Sequence, residues 1–86
     1  MGLYKIDLRG PVEQDLRKIH RRYIARILDA IESLVEDPFP IQSRKMKGSE
    51  SSCRLRVGDY RVIYQVNTEN KIVTIHHVRH RKDVYK

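Results

Sequence analysis

Residues 54–66 read RLRVGDYRVIYQV, and this stretch decides how the rest of the chain is interpreted. Two runs in which apolar residues alternate with others flank Gly58-Asp59, the pattern of a tight β-hairpin with a two-residue loop. With Gly58 and Asp59 in the loop, Val57 pairs with Tyr60 and Arg56 faces Arg61 directly. Side chains alternate with period two along a strand, so Arg54 shares the face of Arg56. Three guanidinium groups then crowd one face, two of them opposite each other, and like charges so placed destabilise a sheet. By the same parity Cys53, Leu55, Val57, Tyr60, Val62, Tyr64 and Val66 share the other face, apolar enough to pack beneath helices.

Working outward toward the N-terminus, Leu3 to Leu8 alternates loosely and reads as a first strand, broken by Gly10-Pro11. Pro11 suits the first turn of a helix. Val12, Leu16, Ile19, Tyr23, Ile24, Ile27, Leu28, Ile31, Leu34 and Val35 then recur at three- and four-residue spacing, an amphipathic helical stripe. The stripe permits one helix from 11 to 36 or two with a bend near His20, and Asp37-Pro38-Phe39-Pro40 ends it. The segment SRKMKGSESS, residues 43–52, reads as a polar, basic loop.

Toward the C-terminus a turn is expected at Thr68-Glu69-Asn70, then a third strand of the second half from Lys71 to Val78. Neither of its faces is cleanly polar, so its register is open; a bulge near Arg79 would re-aim the last residues. The tail RHRKDVYK is strongly basic. The expected order is β-α-α-β-β-β, an α+β fold with two N-terminal helices packed on one face of a mainly antiparallel sheet. With 86 residues, the chain suits a single domain spanning 1–86.

Eighteen Lys and Arg against eleven Asp and Glu give a formal charge of +7, which points to an anionic partner: nucleic acid, an acidic protein or a membrane surface. The single cysteine, Cys53, excludes an intramolecular disulfide and fits a reducing compartment. No apolar run approaches a membrane span and the N-terminus lacks the core of a signal peptide, so a cytoplasmic protein without membrane contact is expected. The cluster HHVRH invites a metal reading, but adjacent arginines oppose a divalent ion and no carboxylate or cysteine pattern completes a site. No metal or other cofactor is expected.

Taken together, GDYRVIYQV, the helical half ending in DPF, and HRKDVY resemble the RelE/ParE superfamily of type II toxins over the whole length. In the RelE branch the resemblance implies a toxin that enters the ribosomal A site and cuts the mRNA there without a metal. A ribose 2′-OH attacks its own 3′-phosphate, leaving a 2′,3′-cyclic phosphate and a free 5′-OH. The family's functional residues fall, by motif, on Arg54, Arg56, Arg61, Arg81 and Tyr85. Arginine forks hold a phosphate bidentately and stabilise the charge that builds up on it. The charge crowding of the hairpin then has a reason: one such donor is worth about 3 kcal/mol to a transition state, against about 1 kcal/mol of cross-strand repulsion.

Where the best-known member carries lysines at the first two basic positions, this chain carries Arg54 and Arg56. An arginine is a poor general base at neutral pH, so His80 or His77 becomes a candidate to accept the 2′-OH proton; His76 reads as a sheet residue and His20 as a helix-surface one. Arg44, Lys45 and Lys47, with Arg79 and Lys82 of the tail, are expected to contact RNA phosphates. The resemblance also implies an acidic antitoxin in a hetero-oligomeric complex, besides the ribosome, its RNA and the mRNA. Two other readings stay open: a ParE-type poison of DNA gyrase, which generally lacks the full arginine and tyrosine set, and a plain RNA-binding module, which would expose stacking aromatics on its sheet.

Overall fold

The structure is a computed structural model that describes residues 3–46 and 52–84. Its elements run β1 (Lys5–Leu8), α1 (Gly10–Arg17), α2 (Arg21–Ser33), β2 (Ser43–Lys45), β3 (Ser52–Val57), β4 (Tyr60–Asn67), β5 (Ile72–His80) and α3 (Arg81–Val84). The strands form one sheet in the order β1-β5-β4-β3-β2, antiparallel except for the parallel pair β1–β5. The α+β arrangement of two N-terminal helices on a mainly antiparallel sheet is therefore as the sequence implies.

The apolar stripe divides into two helices at Lys18–His20. Pro11 occupies the first turn of α1, where its missing N–H costs nothing. His20 stands at the N-cap of α2, and its Nδ1 accepts the Arg22 N–H at 3.1 Å. His20 is exposed, as expected for a helix-surface residue, and also caps α2. After α2, the Asp37 carboxylate accepts the Phe39 N–H at 3.1 Å, turning the DPFP segment back toward the sheet.

The β3–β4 hairpin has the register its sequence predicts: Val57 faces Tyr60, Arg56 faces Arg61 and Leu55 faces Val62. Gly58 sits at φ +58°, a left-handed conformation that suits glycine at the first central position of such a turn. Val12, Ile19, Ile27, Ile31 and Leu34 of the helical half and Cys53, Leu55, Val62, Tyr64 and Val66 of the hairpin form the core, with Val73, Ile75 and Val78 of β5. Each such aliphatic side chain contributes about 1.5–3 kcal/mol by leaving water. Tyr64 is wholly buried and its hydroxyl donates to the Pro38 carbonyl at 2.7 Å, pinning the DPFP segment across the end of the core. Burial pushes that hydroxyl up to about 12.

Two expectations are corrected. The segment expected as a loop contains a strand, because Ser43, Arg44 and Lys45 pair with Leu55, Arg54 and Cys53 and so cover the edge of β3. No apolar alternation marks these residues; the open backbone of β3 recruits them. The β5 bulge lies three residues before the expected place. Ile63 faces His77 while Tyr64 faces Ile75, leaving His76 as the extra residue. This switches parity within β5, so that Val73 and Ile75 before the bulge and Val78 after it all reach the core.

Candidate functional site

The hairpin register fixes the site. Opposite the core, the open face of the sheet carries two adjacent rows of side chains. In one row Arg44 stands beside Arg54, followed by Ile63 and His77; in the next Arg56 stands beside Arg61, which stands beside Arg79. Five arginines thus occupy neighbouring positions on four strands. Arg44, Arg54, Arg56 and Arg61, with Ile41 and Gln42 ahead of β2, line a groove of about 360 Å³.

Local bonds orient these groups. Arg61 Nη1 donates to the carbonyls of Gly58 at 2.9 Å and Tyr60 at 2.8 Å, which holds one edge of its guanidinium against the turn. The Arg79 guanidinium lies 3.4 Å from both ring nitrogens of His77. His77 Nδ1 in turn lies 3.1 Å from the Asp15 carboxylate, which also accepts the Val78 N–H at 3.0 Å beside the bulge. Asp15 therefore anchors α1 to the end of β5 that β1 does not reach. Among the described residues no carboxylate lines the arginine groove, and its four guanidinium groups suit a phosphate.

The other sequence-predicted residues are distributed differently. Arg81, in α3, donates its backbone N–H to the Asp59 carbonyl at 2.7 Å, and its Nε lies 3.7 Å from the Asp59 carboxylate, at the hairpin tip rather than in the arginine rows. His80 is paired with Tyr60 and so faces the helices. Its ring meets Tyr60 edge-on at 5.4 Å, and its Nδ1 accepts the Lys82 N–H at 3.2 Å. The structure thus separates His80 from the arginine groove by the thickness of the sheet. Lys45 pairs with Cys53, on the core-side parity, and its charge partly offsets the rise that burial imposes on the Cys53 thiol. Lys82 is exposed on α3. Tyr85 and Lys47 lie outside the described residues.

Three features of the open sheet face were not foreseen. Arg79 stands directly opposite Arg61, a placement that depends on the bulge at His76 and leaves no mark in the sequence. Ile41, 93 % exposed, and Gln42 reach the groove because β2 forms. His76 is held at the bulge, 2.8 Å from Gln65, and burial together with the Arg9 charge lowers its pKa. Among the described residues no three His, Cys, Asp or Glu side chains gather as metal donors.

A small α+β toxin fold with an arginine-lined groove on the open face of its sheet is the class these observations define. Residues 6–85 match the family of ParE toxins of type II toxin–antitoxin (parDE) systems, and the chain belongs to that family within the RelE/ParE superfamily. The toxin RelG of Mycobacterium tuberculosis is 26 % identical over 84 residues, 96 % of this chain and 97 % of RelG. The structure is similar to the archaeal RelE–RelB complex of Pyrococcus horikoshii, with a TM-score of 0.82 and 28 % identity over 98 % of this chain and 100 % of that one. It is also similar to the RelB–RelE antitoxin–toxin complex of Methanococcus jannaschii, with a TM-score of 0.76 and 26 % identity over 92 % and 94 % of the two chains. The chain is thus a type II toxin of the RelE/ParE superfamily.

Proposed function

We propose that this toxin is a ribosome-dependent endoribonuclease that cuts mRNA in the A site by attack of a ribose 2′-OH on its own 3′-phosphate. The observation that carries the reading is the pair of arginine rows, Arg44–Arg54 and Arg56–Arg61–Arg79, on the open face of the sheet. In the reaction the 2′-oxygen forms a bond to phosphorus as the bond to the 5′-oxygen breaks. The 2′-OH passes its proton to solvent water, and the departing 5′-oxygen gains one. Arg54, Arg56 and Arg61 hold the non-bridging oxygens in line and stabilise the charge that accumulates there. Arginines stay protonated, so they act by position and charge, with Arg44 and Arg79 extending the phosphate track along the strand. Arg81 stands next to the turn as a further phosphate contact, and Tyr85 is the proposed proton donor. The partner that restrains the toxin is an acidic antitoxin, whose negative charge complements a chain of net charge +7, in a cytoplasmic complex.

The test is induced expression in a bacterium with primer extension on a translated and an untranslated copy of one message. The expected cuts lie inside codons and only on the translated copy. Equal cutting of both copies would contradict the ribosome requirement. The matching ParE family description favours a second reading, a gyrase inhibitor without nuclease activity. Growth arrest with altered plasmid supercoiling and intact mRNA would establish that reading instead.

A further inference from the structure

The face of the hairpin tip turned away from the arginine groove carries a second cavity, which the phosphate chemistry leaves unused. It lies between α2 and the β3–β4 turn, measures about 240 Å³, and is lined in part by Tyr23, Arg26, Gly58, Asp59, Tyr60 and His80. Tyr60 has the parity of the core, yet it is only half-buried and borders this opening. Tyr64, on the same face of the same strand, is wholly buried.

The rings are arranged as a short row. Tyr23 and Tyr60 have centroids 5.6 Å apart at an interplanar angle of 45°, so they are tilted rather than stacked; His80 meets Tyr60 edge-on at 5.4 Å. Tyr23 is 37 % exposed. The Arg26 guanidinium lies close over the turn, where a Cβ at Gly58 would come within 3.8 Å of its Nη1. Asp59 also lines the cavity, and its carboxylate, 3.7 Å from Arg81 Nε, keeps acceptor capacity there. Walls made of aromatic rings and a rim holding both a fork of donors and an acceptor suit a flat heteroaromatic ring with donors and acceptors on its edge.

The surroundings select among such rings. Arg22, at the end of the basic run Arg17-Lys18-Ile19-His20-Arg21-Arg22, places its guanidinium 5.8 Å from the centroid of the Tyr23 ring that lines the cavity. Cations flanking an aromatic slot match a base with phosphates on either side of it. An apolar helix of a protein partner would instead meet a carboxylate and a guanidinium at the rim.

We propose that this cavity binds one unstacked nucleobase of an RNA strand, stacked on the exposed Tyr23 ring beside Tyr60, with Arg26 and Asp59 reading its edge. The choice of RNA rests on the function proposed above; the fit to a flat heteroaromatic ring does not. Because Gly58 lines the cavity and its carbonyl accepts from Arg61 of the arginine groove, one strand passing over the hairpin tip can engage both.

The experiment is an amide and tyrosine-ring NMR titration of the full chain with each of the four ribonucleoside 5′-monophosphates and, separately, with ribose 5-phosphate. At least one nucleotide is expected to shift the Gly58, Asp59 and Tyr60 amides and the Tyr23 ring, whereas ribose 5-phosphate shifts only the arginine face. Tyr23→Leu is expected to weaken the nucleotide response about tenfold or more, and Tyr23→Phe to retain it. Equal shifts with ribose 5-phosphate, indifference to Tyr23→Leu, or a cavity that answers only to an acidic antitoxin peptide would overturn the proposal. Nucleotide binding at the cavity by a protein that leaves translated mRNA uncut would keep the base pocket and remove the nuclease reading. Cutting without any nucleotide response at residues 58–60 would do the reverse.

Discussion

On one face of the β3–β4 hairpin, Cys53, Leu55, Val62 and Tyr64 lie buried beneath the helices; on the other, Arg54, Arg56 and Arg61 stand over a groove with Arg44 and Arg79 alongside. The two faces belong to the same residues of backbone and differ only in parity, but they answer to opposite demands. The buried face gains stability with every methylene removed from water. The arginine face gives some of that stability up, since each like-charged neighbour opposes pairing. What the contrast teaches is that substitutions on one face should change folding with little effect on chemistry, and on the other chemistry with little effect on folding.

The largest test of that contrast is Arg61→Ala. Cleavage of a translated message is expected to fall by about 10²–10³-fold, the loss typical of one transition-state donor. The variant loses two bonds to turn carbonyls and is relieved of two arginine neighbours. Its melting temperature is therefore expected to move by less than about 8 °C, the shift of roughly one kcal/mol in a domain this size. A collapse of the melt would make Arg61 structural and break the comparison.

A finer comparison sets Arg79 against Arg81. Arg79 lies in the arginine rows while Arg81 is beside Asp59 at the tip. Arg79→Ala is expected to reduce single-turnover cleavage more than Arg81→Ala does, by about tenfold or more. The reverse order would move the phosphate track from the sheet face to α3.

On the buried face, Tyr64→Phe leaves the Pro38 carbonyl without its partner. The expected cost is about 1–3 kcal/mol, measured as an earlier urea midpoint, with cleavage by the folded fraction unchanged. The smallest effect concerns His76. Its pKa is lowered by burial and by Arg9, so the unfolded chain binds the proton more readily than the folded one. Stability is then constant above the ordinary imidazole range near pH 6.5 and declines as pH falls through it. His76→Gln is expected to flatten part of that decline in melts recorded between pH 7.5 and 5.5; an unchanged slope would assign it to other groups.

How much of this was legible in the sequence depended on whether the signal was local. The hairpin register, its loop at Gly58-Asp59 and the facing of Arg56 and Arg61 follow from alternation over a dozen residues, and all are present in the structure. The buried stripe of α1 and α2 was equally plain, although Lys18–His20 had to break it before one helix could be told from two. The strand Ser43–Lys45 was hidden because a neighbour's free edge, not its own apolar pattern, makes it a strand. The bulge at His76 was hidden because both faces of β5 mix apolar and polar residues, and only packing against α1 and β4 settles the parity. That one residue decides that Arg79 joins the arginine rows while His80 turns to the helices beside Tyr60.

The central claim is that the arginine face promotes attack by a 2′-OH already present in the message. It is tested most directly with ribosomes programmed by an mRNA carrying a single 2′-deoxy nucleotide on the 5′ side of the mapped cut. The account predicts that the unmodified message yields a 2′,3′-cyclic phosphate and a 5′-OH, and that the 2′-deoxy message stays intact at that position. Cleavage of the 2′-deoxy message at the same place would contradict it.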